Sequence, residues 1–172
     1  MATGRQIDII IDKLTRSIEN AISGDNFKTE VLLITINDIK SIKKTDWIFD
    51  WKKEAKNKDK FVYKLVVAEN LSIIQGLISI QDKGDHIYMH LVENAPFNRG
   101  KSKMYSGVAG NLVAFACKLS FQRGHQGNIA FISKTQLIDH YVKTLGAFHI
   151  GGRVLAIESK AAQILIDKYF QN

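Results

Sequence analysis

Between residues 61 and 92 the apolar side chains fall into three runs rich in β-branched residues, 61–68, 73–81 and 86–92, with only a few residues between one run and the next. Asn70 breaks the first pair, and Lys83-Gly84-Asp85 is the tight connection of the second. Parallel neighbours need a crossover of a dozen residues or more, so the short spacings favour antiparallel hairpins. At Gly107 the period changes. Val108, Leu112, Phe115 and Leu119 recur at i, i+4, i+7 and i+11, the apolar stripe of a helix that lies on a sheet.

The flanking segments extend this pattern. Ile7, Ile10, Ile11, Leu14, Ile18 and Ile22 recur at helical spacing, which predicts an amphipathic helix over residues 5–22, ended by Gly24 and Asp25. Residues 29–36 read as a buried strand. Asn37 or Asp38 is placed to cap a short helix over 38–43, and Trp47, Ile48 and Trp51 share one face of a second helix before the charged break at 54–60. After the long helix, closed by Gly124 and Gly127, come a short strand at 128–133 and a helix capped by Thr135. That helix carries Ile138, Tyr141, Val142 and Leu145 on its apolar face and stops at Gly146. Short strands at 148–150 and 153–157 and a helix at 160–170 complete the chain. The expected fold is α/β of the α+β kind: a central, mixed, mostly antiparallel sheet with helices on both faces. The expected organisation is one domain over 1–172, with an N-terminal helix in 1–24, a core at 29–158 and a C-terminal helix in 159–172.

Composition narrows the class. Of 172 residues 45% are hydrophobic, enough for a core without staples. The single cysteine, Cys117, excludes an intramolecular disulfide and a four-cysteine metal site. The apolar runs are short, as at 129–132, too short to span a bilayer, and the first residues lack the apolar stretch of a secretory signal. The expectation is a cytoplasmic protein with no membrane partner. His86 and His90 are four residues apart on a strand, about 13 Å at ~3.3 Å per residue, too far to share an ion. The other three histidines show no ligand spacing, so no metal is expected. Cys117, beside Phe115 and Leu119 on the long helix, reads as a buried, inert thiol.

The net charge is +7, which favours anionic partners without choosing among them. Eight lysines lie between residues 40 and 60, interleaved with Asp46, Asp50, Glu54 and Asp59, and read as a solvated face. A smaller cluster, Arg99, Lys101 and Lys103, falls in the loop from 93 to 106, between a strand and the long helix. That helix opens with Gly107, Ala109 and Gly110, whose small size lets backbone N–H groups approach an anion, and a helix N-terminus adds about half a positive charge. The arrangement suits a pyrophosphate. It fits neither a nucleotide triphosphatase loop nor a dinucleotide fingerprint. Gly107-Val108-Ala109-Gly110 has the form of a KH clamp, but a KH loop joins two helices, whereas this one follows a strand. The alternative for these small residues is close helix–sheet packing.

Three features in order resemble the GCN5-related N-acetyltransferase superfamily. A hairpin leads into a central strand over 73–92. The turn Gly107-Val108-Ala109 then opens a helix. A further strand is followed by a helix that ends His140-Tyr141-Val142-Lys143-Thr144-Leu145-Gly146. The resemblance covers residues 29–158 and is nearest the small stand-alone bacterial members. The chain departs from the pattern at Met104, where Gln or Arg is usual, at Lys134, where many members have Asn, and in the longer loop after the central strand.

The resemblance implies acetyl-CoA as co-substrate and donor, and an amine, small or on a protein, as acceptor. Val92, Glu93 and Asn94 would pair with the pantetheine arm where the central strand splays from its neighbour. The diphosphate would rest on the N–H groups of Tyr105, Ser106, Gly107, Val108, Ala109 and Gly110, with Arg99, Lys101 and Lys103 meeting its outer oxygens. Tyr141 matches the general acid that protonates the departing thiolate, though on its apolar stripe it also reads as a core tyrosine. For the base, Glu93 ends the central strand, and His90 has the better-placed pKa. Their numbers have opposite parity, so on a regular strand they face opposite ways. Trp47, Phe49 and Trp51 read either as core anchors or as the wall over the acceptor. The competing reading is a binding module on the same scaffold, holding coenzyme without turnover or using its lysines on nucleic acid. The terminal helices could serve a homodimer.

Overall fold

The antiparallel meander expected from 61 to 92 forms the middle of a seven-stranded sheet. The computed structural model describes residues 5–170. In chain order the elements are β1 (Ile18–Asn20), β2 (Asn26–Phe27), β3 (Thr29–Leu33), α1 (Ile36–Ser41), α2 (Trp51–Lys56), β4 (Phe61–Val67), β5 (Gly76–Asp82) and β6 (Ile87–Asn94). They continue with β7 (Tyr105–Ser106), α3 (Val108–Gln122), β8 (Ile129–Ile132), α4 (Ile138–Leu145), β9 (Phe148–Gly151), β10 (Val154–Ile157) and α5 (Ser159–Tyr169). The large sheet has the order β3-β4-β5-β6-β8-β10-β9, and β2-β1-β7 form a small second sheet. Every pairing is antiparallel except β6 with β8, the two strands that α3 connects. No described helix is long and apolar enough to cross a membrane.

The sheet is covered on both faces, in keeping with the near-continuous burial along β5 and the second half of β6. Ile78, Ile80, Ile87, Met89 and Val92 meet Leu112, Val113 and Cys117 of α3 in the larger core. Val62, Leu77 and Leu91 meet Trp51 and Ile42 in the smaller one. α5 packs along α3 so closely that a side chain at Gly110 would overlap the Tyr169 hydroxyl. The Cys117 thiol is fully buried, and burial raises its pKa far above the ordinary thiol range, in keeping with an inert packing role.

Several boundaries differ from the sequence reading. The cap of α1 is Thr35; its hydroxyl accepts the Asp38 N–H, while the Asp38 carboxylate accepts from the Thr35 N–H, a reciprocal capping box. Asp38 also takes the buried Lys64 ammonium at 2.9 Å. α2 begins only at Trp51, capped by Asp50, so Trp47 and Ile48 precede it. The helix expected over residues 5–22 is absent. Residues 5–17 carry no helical turn, and β1 follows them. Ile7, Ile9 and Ile11 point inward and Asp8 and Ile10 outward, a period of two that β-branched side chains favour. The C-terminal helix is present as α5, and the last two residues of its expected span lie outside the described residues.

Candidate functional site

The site begins where the parallel pair comes apart. β6 and β8 are in register only at Ile87–Ile129, Tyr88–Ala130 and Met89–Phe131. Beyond that, β6 bulges: Ser79 of β5 faces Leu91, while the next residue, Ile80, faces Met89, leaving His90 as the extra residue. From His90 onward β6 no longer pairs with β8, and a gap opens between them.

The chain's own residues 7–15 run through this gap as an extended strap. Its first part takes the strand position that β6 vacates. The Ile7 N–H donates to the Ile132 carbonyl at 2.7 Å, and the Lys134 N–H donates to the Ile7 carbonyl at 3.0 Å. The Tyr141 hydroxyl then donates to the Ile9 carbonyl at 2.5 Å and accepts the Ile9 N–H at 3.0 Å. The Ile11 N–H donates to Nε2 of His140 at 2.9 Å. The Asp12 carboxylate accepts the N–H of Gly107 at 3.1 Å and takes the Lys103 ammonium at 2.7 Å. The Lys13 carbonyl accepts from the Tyr169 hydroxyl at 2.8 Å, and Thr15 packs on Gly107.

Gly107 is where the conformation demands glycine. It caps α3 at φ +89°, and a side chain there would collide with the Thr15 hydroxyl. Its N–H donates to the carboxylate of Asp12. Tyr105 and Ser106 are held in β7 against β1; Val108, Ala109 and Gly110 are buried under the strap and α5. The loop before β7 is fixed by Asn98, whose amide donates to Gln75 and whose carbonyl oxygen accepts the Tyr105 N–H.

A cavity of about 440 Å³ remains between the strap and the free end of β6. Asp8, Ile10 and Asp12 form one wall, Val92, Glu93 and Asn94 the opposite one, and Ile48, Phe49, Arg99 and Lys103 the rim. The side-chain oxygen of Asn94 has no hydrogen-bond partner. Lys101 is exposed and does not line the cavity.

The two candidate bases are not arranged as parity predicts. The bulge at His90 turns His90 and Glu93 to the same side of the sheet, that of α2. Glu93 is 3% exposed, and its carboxylate accepts N–H groups from Ile48 at 2.7 Å, Phe49 at 3.1 Å and the Trp51 indole at 2.8 Å. Arg99 forms an ion pair with it, and also donates to the carbonyls of Asn94 and Asp46. Four donors use the lone pairs of one carboxylate. Glu93 and Arg99 thus clamp residues 46–51 over the end of β6, with Trp51 buried and Trp47 edge-on to it at 6.4 Å. His90 is half-buried, meets Gln81 at 2.9 Å, and does not line the cavity. Burial, with the nearby Lys60 and Arg5, pushes its pKa down to about 4.

Tyr141 is fully buried, edge-on to Phe131 at 5.5 Å, with its hydroxyl in the gap. Burial holds its phenol protonated well above the ordinary range. Its hydroxyl meets the strap at Ile9 and does not line the cavity, whereas Glu93 does. Sequence reasoning missed the strap, with Asp12 and Thr15. The signal for it was the alternation of Ile7, Ile9 and Ile11.

No family model matches the chain, and no curated protein matches it in sequence. Solved structures do match in shape. A chimera of the spermidine N-acetyltransferase SpeG from Vibrio cholerae is similar at 14% identity and a TM-score of 0.56, over 80% of this chain and 99% of that one. The KacTA–DNA complex is similar at 10% identity and a TM-score of 0.55, over 80% and 98%. A mutant of the AtaT toxin, bound to the C-terminus of the antitoxin AtaR and to acetyl-CoA, is similar at 12% identity and a TM-score of 0.53, over 80% and 98%. With its strand order, its parted parallel pair and these neighbours, the chain has the fold of the GCN5-related N-acetyltransferases.

Proposed function

We propose that this chain is an acetyl-CoA-dependent N-acetyltransferase acting on a primary amine. The observation that carries the reading is the gap beside β6, with a proton donor at one end and an anion seat at the other. The Tyr141 hydroxyl faces into it from α4, and the Gly107 N–H and the Lys103 ammonium meet an anionic group at the start of α3. The residues fit the group at both ends: a thioester beside the phenol and a diphosphate on the amide and the lysine. Acetyl-CoA supplies an activated acetyl group on a thioester. Val92 and Asn94 offer the unpaired edge of β6 to the pantetheine, and a main-chain N–H there polarises the acetyl carbonyl. Tyr141 donates its proton to the departing thiolate. Burial raises the pKa of the phenol, so the hydroxyl carries its proton at neutral pH.

Glu93 serves as a clamp rather than as the base, because its lone pairs are in use. His90 does not line the cavity and meets Gln81 instead. The amine therefore loses its proton to water at the cavity mouth. AtaT and SpeG, by their names and bound acetyl-CoA, support acetyl transfer in general terms. The acceptor is an amine able to reach the rim at Ile48 and Phe49.

The second reading is a module on the same fold that does not turn over. The carboxylate of Asp12 on the Gly107 amide favours it, since the chain then supplies its own anion. The test is release of free CoA thiol from acetyl-CoA against a panel of amines. Release that depends on the amine supports the enzyme. Coenzyme binding without release with any amine supports the module.

A further inference from the structure

The strap follows the course that the proposed function assigns to the coenzyme. It touches the proton donor at Ile9 and the anion seat at Asp12, and it pairs with the edge of β8 that β6 leaves open. We infer that residues 7–15 are an internal stand-in for the coenzyme, an autoinhibitory strap that acetyl-CoA must displace. This rests on the acetyltransferase reading.

Three observations carry it. The first is chemical identity at the anion seat. A carboxylate occupies the Gly107 N–H and the Lys103 ammonium, the donors that a diphosphate would use, and the two anions cannot share them. The second is steric. Thr15 lies against Gly107 so tightly that a single added carbon would collide with it, so no phosphate fits while Thr15 is in place. The third is catalytic. The hydroxyl of Tyr141 has its donor and acceptor functions both engaged by Ile9, so it cannot protonate a thiolate until the strap leaves.

Only one side of the strap is buried. Asp8 and Ile10 face outward, and Ile10 is 55% exposed. The strap is held by the burial of Ile7 and Ile11 in the core and by hydrogen bonds at Ile132, Tyr141, His140, Gly107 and Tyr169, and displacement must give up both. The strap leaves the strand order of the large sheet unchanged.

The test compares coenzyme A binding by the wild-type protein and the Asp12→Ala variant by calorimetry, with hydrogen exchange read at the Ile7, Ile9 and Ile11 amides. Asp12→Ala should bind coenzyme A about tenfold more tightly, and added coenzyme should speed exchange at all three amides in both proteins. Should Asp12→Ala fold poorly, Asp12→Asn keeps the shape, removes the charge and should tighten binding in the same direction. Equal affinity in wild type and variant, with the strap amides as protected after coenzyme as before, overturns the strap and leaves the acetyltransferase reading intact. No coenzyme binding by any of the three proteins overturns both.

Discussion

The hydroxyl of Tyr141 is bonded twice to one residue, Ile9, 132 positions earlier in the chain: it donates to that residue's carbonyl and accepts from its amide. One phenol thus anchors the strap and stands at the proposed reaction centre. Tyr141→Phe should separate the two roles. We predict that amine-dependent thiol release falls by about a hundredfold, the usual weight of a general acid, while coenzyme A binds no more weakly than to wild type. Steady-state kinetics with calorimetry checks this. Wild-type turnover in the variant would remove Tyr141 from the chemistry.

Glu93 should matter for stability before it matters for rate. Glu93→Ala leaves two backbone N–H groups, the Trp51 indole and the Arg99 guanidinium without their acceptor in a mostly dry site. We predict a loss of about 3 kcal/mol, the scale for breaking a buried charge pair. Urea denaturation measures it. A loss under about 1 kcal/mol would mean that residues 46–51 are held by their aromatic packing alone.

Gly107 and Thr15 should be coupled. Gly107→Ala places a methyl at φ +89° and against the Thr15 hydroxyl, so it should cost more than about 1 kcal/mol. In a Thr15→Ala background the collision is relieved and only the backbone strain remains. Thermal unfolding of the two single variants and the double variant forms a cycle, and a cost that is the same in both backgrounds would place Thr15 away from the turn.

The strap should loosen in acid. The Ile11 N–H needs an unprotonated Nε2 on His140, and burial already lowers the pKa of that imidazole from its ordinary 6.5. The docked state thus binds fewer protons than the released one. Docking is at full strength above about pH 6.5 and weakens as pH falls through the depressed value. Exchange at the Ile11 amide, corrected for its intrinsic rate, should be faster at pH 5 than at pH 7.5, and His140→Gln should flatten that difference. A wild-type profile as flat as the variant's would detach His140 from the strap.

Much of the framework could be read from local chemistry. The meander from 61 to 94, the helix opening at Gly107 and the stop at Gly146, where φ is +69°, all follow from periodicity and turn residues. Three features did not, each for a physical reason. The isoleucines of 7–11 satisfy both a helical and an alternating period, and what decides between them is an open strand edge more than a hundred residues away. The single-residue bulge at His90 reverses the facing of all that follows it on β6, and nothing in the residue itself announces it. The engagement of Glu93 depends on Arg99 and Trp51 converging from a loop and from the start of α2, which no spacing encodes. Tyr141 was legible by position, but its partner was not.

The docking of residues 7–15 also has a kinetic consequence. Their long-range hydrogen-bond partners named above all lie within residues 103–169, so during synthesis the strap exists long before those partners do. Contacts of such long separation close late, after the sheet and α3 have assembled. On the proposed reading, a newly made molecule passes through an interval with an open groove, in which coenzyme and the chain's own aspartate compete for the Gly107 amide.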